Sequence, residues 1–541
     1  MSISALLIEA GSKIPGNLIV WKVLFCLAVF WTLLEIGFLA VVQFIILPRA
    51  QKLSKTQPYH GDMMVMMRRA VDLVKQLHCY DFEKYLSGFC RGADFKDICV
   101  ENFRSFLAWA MYNKHMPDCS PEEIEKLNQV QEYAIQEHPC LQKMRPGYNP
   151  KIKHCRMTLD PIPILHRPLL MYVLIRLKEA IASFFYIPAY GFQALEIDGQ
   201  TYWYKKQRED NNSSASKTVG SNGNEPILFL HGITTGWGGY VPMACAMGAG
   251  RDIILVDLES VKLNSLEFQM PTPQQFSEKL IHILDRHNIE RVSLVGHSFG
   301  SMTAGWFLCH HPDRISHLTL IDPVSMLLSF PEVAYSFLYR KPSSVMEWII
   351  HLFAAREITI SHTLRRNFWW YNNDLWLEAI PERIGVVVGI ATHDEITNPK
   401  ALQEYVYNCR NARIQARECT PDSSISSKVS LARSVSATTD AESCSSNSDT
   451  DNGKESASMT SLLATAESFT CLESLDRKQK KSSSTTSSAG ATVSVCRKEV
   501  AMIECLVWDN YSHGQILFAS QEHHTLVATM RSNEKLGTAS M

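Results

Sequence analysis

The 541-residue sequence has no long run of lysine and arginine, and its formal net charge is only −2, with a pI near 6.8. A chain so nearly neutral offers no basic footprint for phosphates, which excludes a nucleic-acid partner. C-x-x-C pairs are also missing. The 15 cysteines are scattered singly, which speaks against a disulfide framework and for a reducing compartment. The paired histidines, His310-His311 and His523-His524, have no third partner at metal-ligand spacing, and the latter pair is expected to be exposed on a terminal helix. Neither a metal nor a cofactor is therefore expected. The N-terminal apolar stretch lacks the short length and small-residue cleavage site of a secretory signal.

What is present is an ordinary globular composition, 46% hydrophobic and 20% charged, over a length that suits roughly two to four domains. After a tail at 1–22, residues 23–47 are apolar apart from blemishes such as Glu35 and Gln43. As a helix rising about 1.5 Å per residue they exceed a hydrocarbon core of roughly 30 Å, which predicts a single-pass membrane anchor. Arg49, Lys52 and Lys55 follow the segment closely, against Lys13 and Lys22 before or at its start. That bias puts the bulk of the chain on the cytosolic side of an endomembrane such as the endoplasmic reticulum.

Residues 50–190 read as a helical region. Apolar residues recur at helical spacing over 63–77 and 101–112, and Ser120-Pro121-Glu122-Glu123 opens a further helix. The methionines Met63, Met64, Met66 and Met67 read as helix core rather than a binding surface. A second apolar helix spans 169–187. Arg176, Lys178 and Glu179 interrupt it, which suits a helix lying on a membrane surface or beneath a folded domain, not a second span.

From about residue 192 short strand patterns alternate with helical ones. A hairpin at 192–197 and 200–205 turns at Asp198-Gly199; strands follow at 226–230, 252–257, 292–295, 318–321 and 385–390, with a helix at 273–288. This alternation predicts an α/β fold with a doubly wound, mostly parallel sheet. Between the 292–295 strand and a helix starting at Ser301 lies Gly296-His297-Ser298-Phe299-Gly300, a G-x-S-x-G. On so sharp a turn the serine backbone is strained, small residues are needed two positions to either side, and the hydroxyl is raised above the sheet edge. Ser298 is the candidate nucleophile.

Residues 191–410 with 498–530 resemble the α/β-hydrolase superfamily in its lipase/esterase branch, among membrane-attached abhydrolases. The motifs that carry the likeness are HGITTG, GHSFG, LTLIDP, THDEITNP and SHGQ. The resemblance implies an oxyanion hole from the backbone N–H groups of Ile233 and Phe299, with Gly232 allowing close approach. His231 is then a structural loop residue. The resemblance further implies His513 as general base, in a loop after a last strand at 500–508, and Asp394 as the acid that orients it. Asp322, after the preceding strand, is the alternative acid, while Asp509 stands too near His513 in sequence.

The likeness has departures. After Asp257 the usual glycine-rich turn is replaced by LESVKLNS. Residues 411–497 are rich in Ser, Thr, Ala and charge and are expected to be a disordered insertion, either regulatory or merely tolerated, before a tail at 531–541. Residues 323–383 stand where this fold carries a helical lid, and Trp348, Trp369, Trp370 and Trp376 within it suit a lipid-like substrate. The expected protein is thus a membrane-anchored serine hydrolase of apolar carboxylic esters. Its rivals are a catalytically silent receptor or scaffold, and an acyltransferase. An H-x4-D after the base, found in some acyl-transferring relatives, is absent because Phe518 holds the fifth position after His513. An aspartate nucleophile, as in epoxide-opening relatives, is excluded by Ser298.

Overall fold

The computed structural model describes residues 18–57, 59, 61–207, 225–263, 268–418 and 502–538. The tail at 1–17, the linker at 211–224 and the expected insertion from residue 419 onward lie outside the described residues. Eight strands form one sheet in the order β1-β2-β4-β3-β5-β6-β7-β8: β1 Gln193–Ile197, β2 Gln200–Lys205, β3 Ile227–Leu230, β4 Ile253–Val256, β5 Val292–His297, β6 Ile315–Ile321, β7 Gly385–His393 and β8 Ile503–Ser512. The β1–β2 hairpin pairs antiparallel and joins β4 antiparallel, whereas β3 to β8 are parallel to their neighbours. Asp198 and Gly199 both take positive φ, 50° and 69°, as a two-residue hairpin turn that follows the strand twist requires. Strands β3 to β6 are buried along their whole length. That is why β3 and β4, ILFL and IILV, read as unbroken apolar runs instead of alternating.

The chain leaves β3 for β4 on one side and returns to β5 on the other. The crevice beyond the carboxyl ends of β3 and β5 is therefore the switch point of the sheet, where this architecture leaves room for a ligand.

The helices are α1 Leu18–Val41, α2 Met63–Gln76, α3 Val100–Tyr112, α4 Pro121–Glu137, α5 Leu169–Ile181, α6 Pro273–Arg286, α7 Gly300–His310, α8 Ile358–Arg366, α9 Pro399–Glu418 and α10 Ser520–Thr538, with shorter helices between them. Helix α1 continues through one wider turn at Val42–Ile46 to Ala50, a single apolar rod longer than the expected 23–47. Helix α4 starts where the sequence signals it: Ser120 Oγ accepts from Glu123 N at 3.2 Å while the Glu123 carboxylate accepts from Ser120 N at 2.7 Å.

Residues 50–190 do not form a separate unit. Met66, Met67 and Leu77 of this region share one apolar core with Leu228, Leu230 and Ile254 of the sheet and with Trp369 and Trp370 of the segment between β6 and β7. Four further expectations change. The last strand runs on to Ser512, because beyond a bulge Ser512 still pairs with His393, so His513 is the first residue after it. Helix α9 extends to Glu418, into the expected insertion. Helix α10 takes up the expected tail to Thr538, and its buried Glu534 pairs with Arg251 at 2.7 Å. On the same helix His524 is exposed but His523 is buried, its Nε2 2.8 Å from Ile516 O.

Candidate active site

Strand β5 ends at His297 and α7 begins at Gly300, leaving Ser298 and Phe299 to make the whole turn. Ser298 sits at φ 51°, the left-handed region, at a cost of roughly 1–2 kcal/mol for an L-residue. The neighbours leave no space for larger residues. A Cβ on Gly296 would lie 2.7 Å from Gly300 O, and one on Gly300 would run into Leu230 O. The turn is held from below by Ser298 N, which donates to Ile321 O at 2.9 Å.

The loops after β7 and β8 bring Asp394 and His513 to this serine although 118 residues separate the two in sequence. His513 Nε2 is 2.8 Å from Ser298 Oγ, and His513 Nδ1 is 2.7 Å from Asp394 Oδ2. An ionised carboxylate only accepts, so Nδ1 carries the proton and Nε2 is left facing the serine hydroxyl. Asp394 Oδ1 accepts from Ile396 N and Thr397 N at 2.7 and 3.0 Å, which fixes the carboxylate. Burial alone would raise Asp394, but His513 and these N–H groups hold it below the ordinary carboxylate value. Burial would likewise pull His513 down, yet Asp394, with Asp322 and Glu395 behind it, lifts the imidazole well above 6.5.

Asp322 stands close by without touching His513. Its two oxygens accept from Ala391 N at 2.9 Å and Gly514 N at 2.8 Å, tying together the strand end before Asp394 and the turn after His513. Its carboxylate supports both loops from underneath. Glu395 Oε2 accepts from His513 N at 3.1 Å.

The loop after β3 crosses directly against the serine. A Cβ on Gly232 would lie 2.8 Å from Ser298 Cβ, so only glycine fits there. Ile233 and Phe299 line the same cavity as Ser298, and neither of their N–H groups donates to an acceptor among the described residues. Tyr240 sets the loop's position: its hydroxyl accepts from Gly232 N at 3.1 Å and donates to His297 Nδ1 at 3.0 Å. Burial keeps His297 neutral, well below 6.5, as this acceptor role needs. His231 is structural: its Nδ1 donates to Gly232 O at 2.7 Å and its Nε2 accepts from Leu258 N at 3.0 Å.

Above Ser298 opens a cavity of about 540 Å³, its mouth included, in which Ser298 is the one polar residue of the lining. Its walls come from the β6–β7 segment (Phe337, Leu364, Phe368), from α7 (Met302) and, from far upstream, from Met157. The tryptophans do not line it. Trp369, Trp370 and Trp376 are buried elsewhere, with Trp370 Nε1 donating to Ala110 O at 2.9 Å and Arg69 lying over the Trp376 ring at 3.9 Å, while Trp348 is exposed. They fasten the N-terminal helices, so the expected argument from these rings to substrate does not stand.

Residues 225–383 match the sequence model of the α/β hydrolase fold family. The chain has the α/β-hydrolase fold. The matched stretch holds Gly232, Ile233, Ser298 and Phe299 and ends before Asp394 and His513. Among known proteins the chain is similar to abhydrolase domain-containing protein abhd-5.2 of Caenorhabditis elegans, at 27% identity over 135 residues, 24% of this chain and 29% of that protein. It is similar also to a human serine hydrolase-like protein, at 25% identity over 146 residues, 26% of this chain and 70% of the relative. The chain thus spans less than a third of the first relative's length. Among solved structures it resembles carboxylesterase CesB of Bacillus subtilis, with 11% identity and a TM-score of 0.33, covering 67% of this chain and 96% of that one. It also resembles a bacterial membrane phospholipase A, with 14% identity and a TM-score of 0.27, over 44% and 86%.

Sequence reasoning did not single out Tyr240, Glu395 or Met157, and it weighed Asp322 only as an acid. Each acts through a contact between segments far apart in the chain, and no local spacing announces such a contact.

Proposed function

We propose that the protein is a membrane-anchored serine hydrolase that cleaves carboxylic esters of lipid-like substrates. The observation that carries this reading is the hydrogen-bonded series Ser298, His513, Asp394 at the floor of an apolar cavity. Ser298 Oγ attacks the ester carbonyl carbon as its proton passes to His513 Nε2. The carbonyl oxygen becomes an oxyanion that the Ile233 and Phe299 N–H groups receive, each such donor being worth about 3 kcal/mol. Asp394 stabilises the imidazolium, which then protonates the leaving alkoxide. Water, deprotonated by the same imidazole, attacks the acyl-serine and regenerates the hydroxyl. An uncharged acyl chain suits walls without a charged side chain.

Anchoring is supported by the apolar rod Val20–Ala50, 31 residues long and almost wholly exposed along its first half. Arg49, Lys52 and Lys55 favour a cytosolic hydrolase on an endomembrane such as the endoplasmic reticulum. The test is fluorophosphonate labelling of membranes carrying the wild type, Ser298→Ala and His513→Ala. Labelling of the wild type and of neither variant is expected, followed by release of fatty acid from neutral esters. A folded wild type that takes no label removes the hydrolase reading and leaves a silent receptor.

A further inference from the structure

Helix α5 presents a continuous apolar face to solvent although the rest of residues 50–190 is folded into the core. Leu170, Val173, Leu174, Leu177, Ile181 and, in the wider turn that continues the helix, Phe184 are all exposed, Phe184 by 77%. At about 100° per residue these positions fall within one stripe roughly 100° wide, with Arg176 and Lys178 flanking it on either side. This is the pattern of a helix lying in a membrane interface.

What covers the stripe is indicated by its direct continuity with α1. The Glu35 carboxylate accepts from Leu169 N at 2.7 Å and Leu170 N at 3.1 Å, capping α5, and Phe38 packs edge-on against Tyr172 with centroids 5.5 Å apart. Residues 18–35 of α1 rise about 27 Å, close to the thickness of one hydrocarbon core. The start of α5 is therefore fastened to the anchor where the anchor leaves the bilayer.

The opposite edge of α5 grips the loop that carries Ile233. Lys178 Nζ donates to Thr235 Oγ1 at 2.7 Å, and Glu179 Oε1 meets the buried Lys262 Nζ at 2.7 Å. The Glu179 Cγ lies 3.4 Å from where a Cβ on Gly236 would stand. Lys262 belongs to the LESVKLNS segment that departs from the usual glycine-rich turn, and that segment is stitched to the loop: Thr234 N donates to Val261 O at 3.2 Å and Leu263 N to Thr234 O at 2.7 Å. The bonds run from the helix, through Glu179 and Lys262, to the residue next to Ile233.

We propose that α5 docks on the bilayer surface and that Glu179 is a positioning residue, holding the oxyanion loop through Lys262. This rests on the serine-hydrolase reading above. Glu179 does not touch substrate, and Lys262 keeps Asp257 and Glu259 as partners at 3.5 and 3.0 Å when Glu179 is neutralised, so the fold survives the substitution.

The test uses the full chain in phosphatidylcholine vesicles containing phosphatidylserine. First, Glu179→Gln and Glu179→Asp are assayed with p-nitrophenyl butyrate. Glu179→Gln should lower kcat about tenfold or more with KM little changed, as expected of a displaced donor, and Glu179→Asp should recover part of the loss. Second, a benzophenone side chain is placed at Leu177 or, for comparison, at the partly exposed Lys279 of α6. Adducts to lipid at position 177 and not at 279 are expected. An unchanged kcat in Glu179→Gln, while the wild type turns over and labels normally, overturns the positioning role and leaves the hydrolase reading intact. A wild type that neither labels nor turns over overturns the hydrolase reading instead. Adducts at 177 to protein alone, or equal lipid adducts at 279, overturn the docking.

Discussion

His513 can take the Ser298 proton only while its imidazole is neutral, and its surroundings oppose that. Burial favours the neutral ring, but the Asp394 carboxylate 2.7 Å away, aided by Asp322 and Glu395, outweighs it and raises the ring above 6.5. Protons therefore have to leave at a higher pH than for a free histidine before activity appears. The acid limb of kcat/KM should have its midpoint above 6.5, rising with pH. Asp394→Asn removes the largest charge that raises it, so its residual activity, reduced about ten-thousandfold, should show a limb moved to lower pH. A limb that stays in place in Asp394→Asn assigns it to another group. Backbone strain gives a second expectation at this scale. Gly300→Ala drives a methyl into Leu230 O and should cost about 3 kcal/mol or more in urea unfolding. The pentapeptide announced the crowding at Gly296, whose Cβ would meet Gly300 O within the same turn, while the contact of Gly300 with Leu230 comes from a distant strand. Tyr240 and His297 were not legible as supports of the Gly232 loop, since their bonds join segments about 57 residues apart.

At the scale of elements, strands were the most legible. Residues 227–230 and 253–256 are apolar without alternation because both faces are covered, and turn residues bound them. The segment between β6 and β7 was legible in place but not in role. Its tryptophans are core, and α8 is bolted down: the buried Arg366 guanidinium donates to Arg365 O, Asp160 O, Thr158 O and Gln51 O at 2.8 to 3.4 Å. A segment tied in this way is a fixed cap, and under the proposed ester hydrolysis its walls set the acyl-chain length. Leu364→Trp should fill the cavity and lower kcat/KM for long-chain p-nitrophenyl esters, by about 0.8 kcal/mol for each excluded methylene, while butyrate is hydrolysed as before. Equal losses for palmitate and butyrate count against that cavity as the acyl site. Arg366→Leu leaves those carbonyl oxygens without their donor and should destabilise the protein by about 3 kcal/mol in the same unfolding assay.

Across the whole molecule, periodicity showed which faces of the N-terminal helices are apolar but not what covers them, so the merger of residues 63–157 with the sheet core was not readable. The structure divides the N-terminal apolar rod into two unlike halves. Residues 20–30 are exposed on every side, whereas Val42 and Ala50 are buried and Gln51 exchanges two hydrogen bonds with the Ile162 backbone, each 2.9 Å long. The first half is free to serve the proposed anchoring, and the second half serves the fold. Removing residues 1–30 should leave thermal stability and butyrate hydrolysis near wild type, because residues 20–30 are exposed throughout. Removing residues 1–55 strips Arg366 of the Gln51 carbonyl, exposes the Ile162 backbone and uncaps α5 at Glu35. Several lost polar contacts at about 1 kcal/mol each, with the apolar surface of Val42 and Ala50 uncovered, should lower the melting temperature clearly. Scanning calorimetry of the two truncations decides it. Equal melting temperatures mean that the second half of the rod is only a tether; a fall confined to the longer truncation means that the proposed anchor is also the first structural element of the α/β fold.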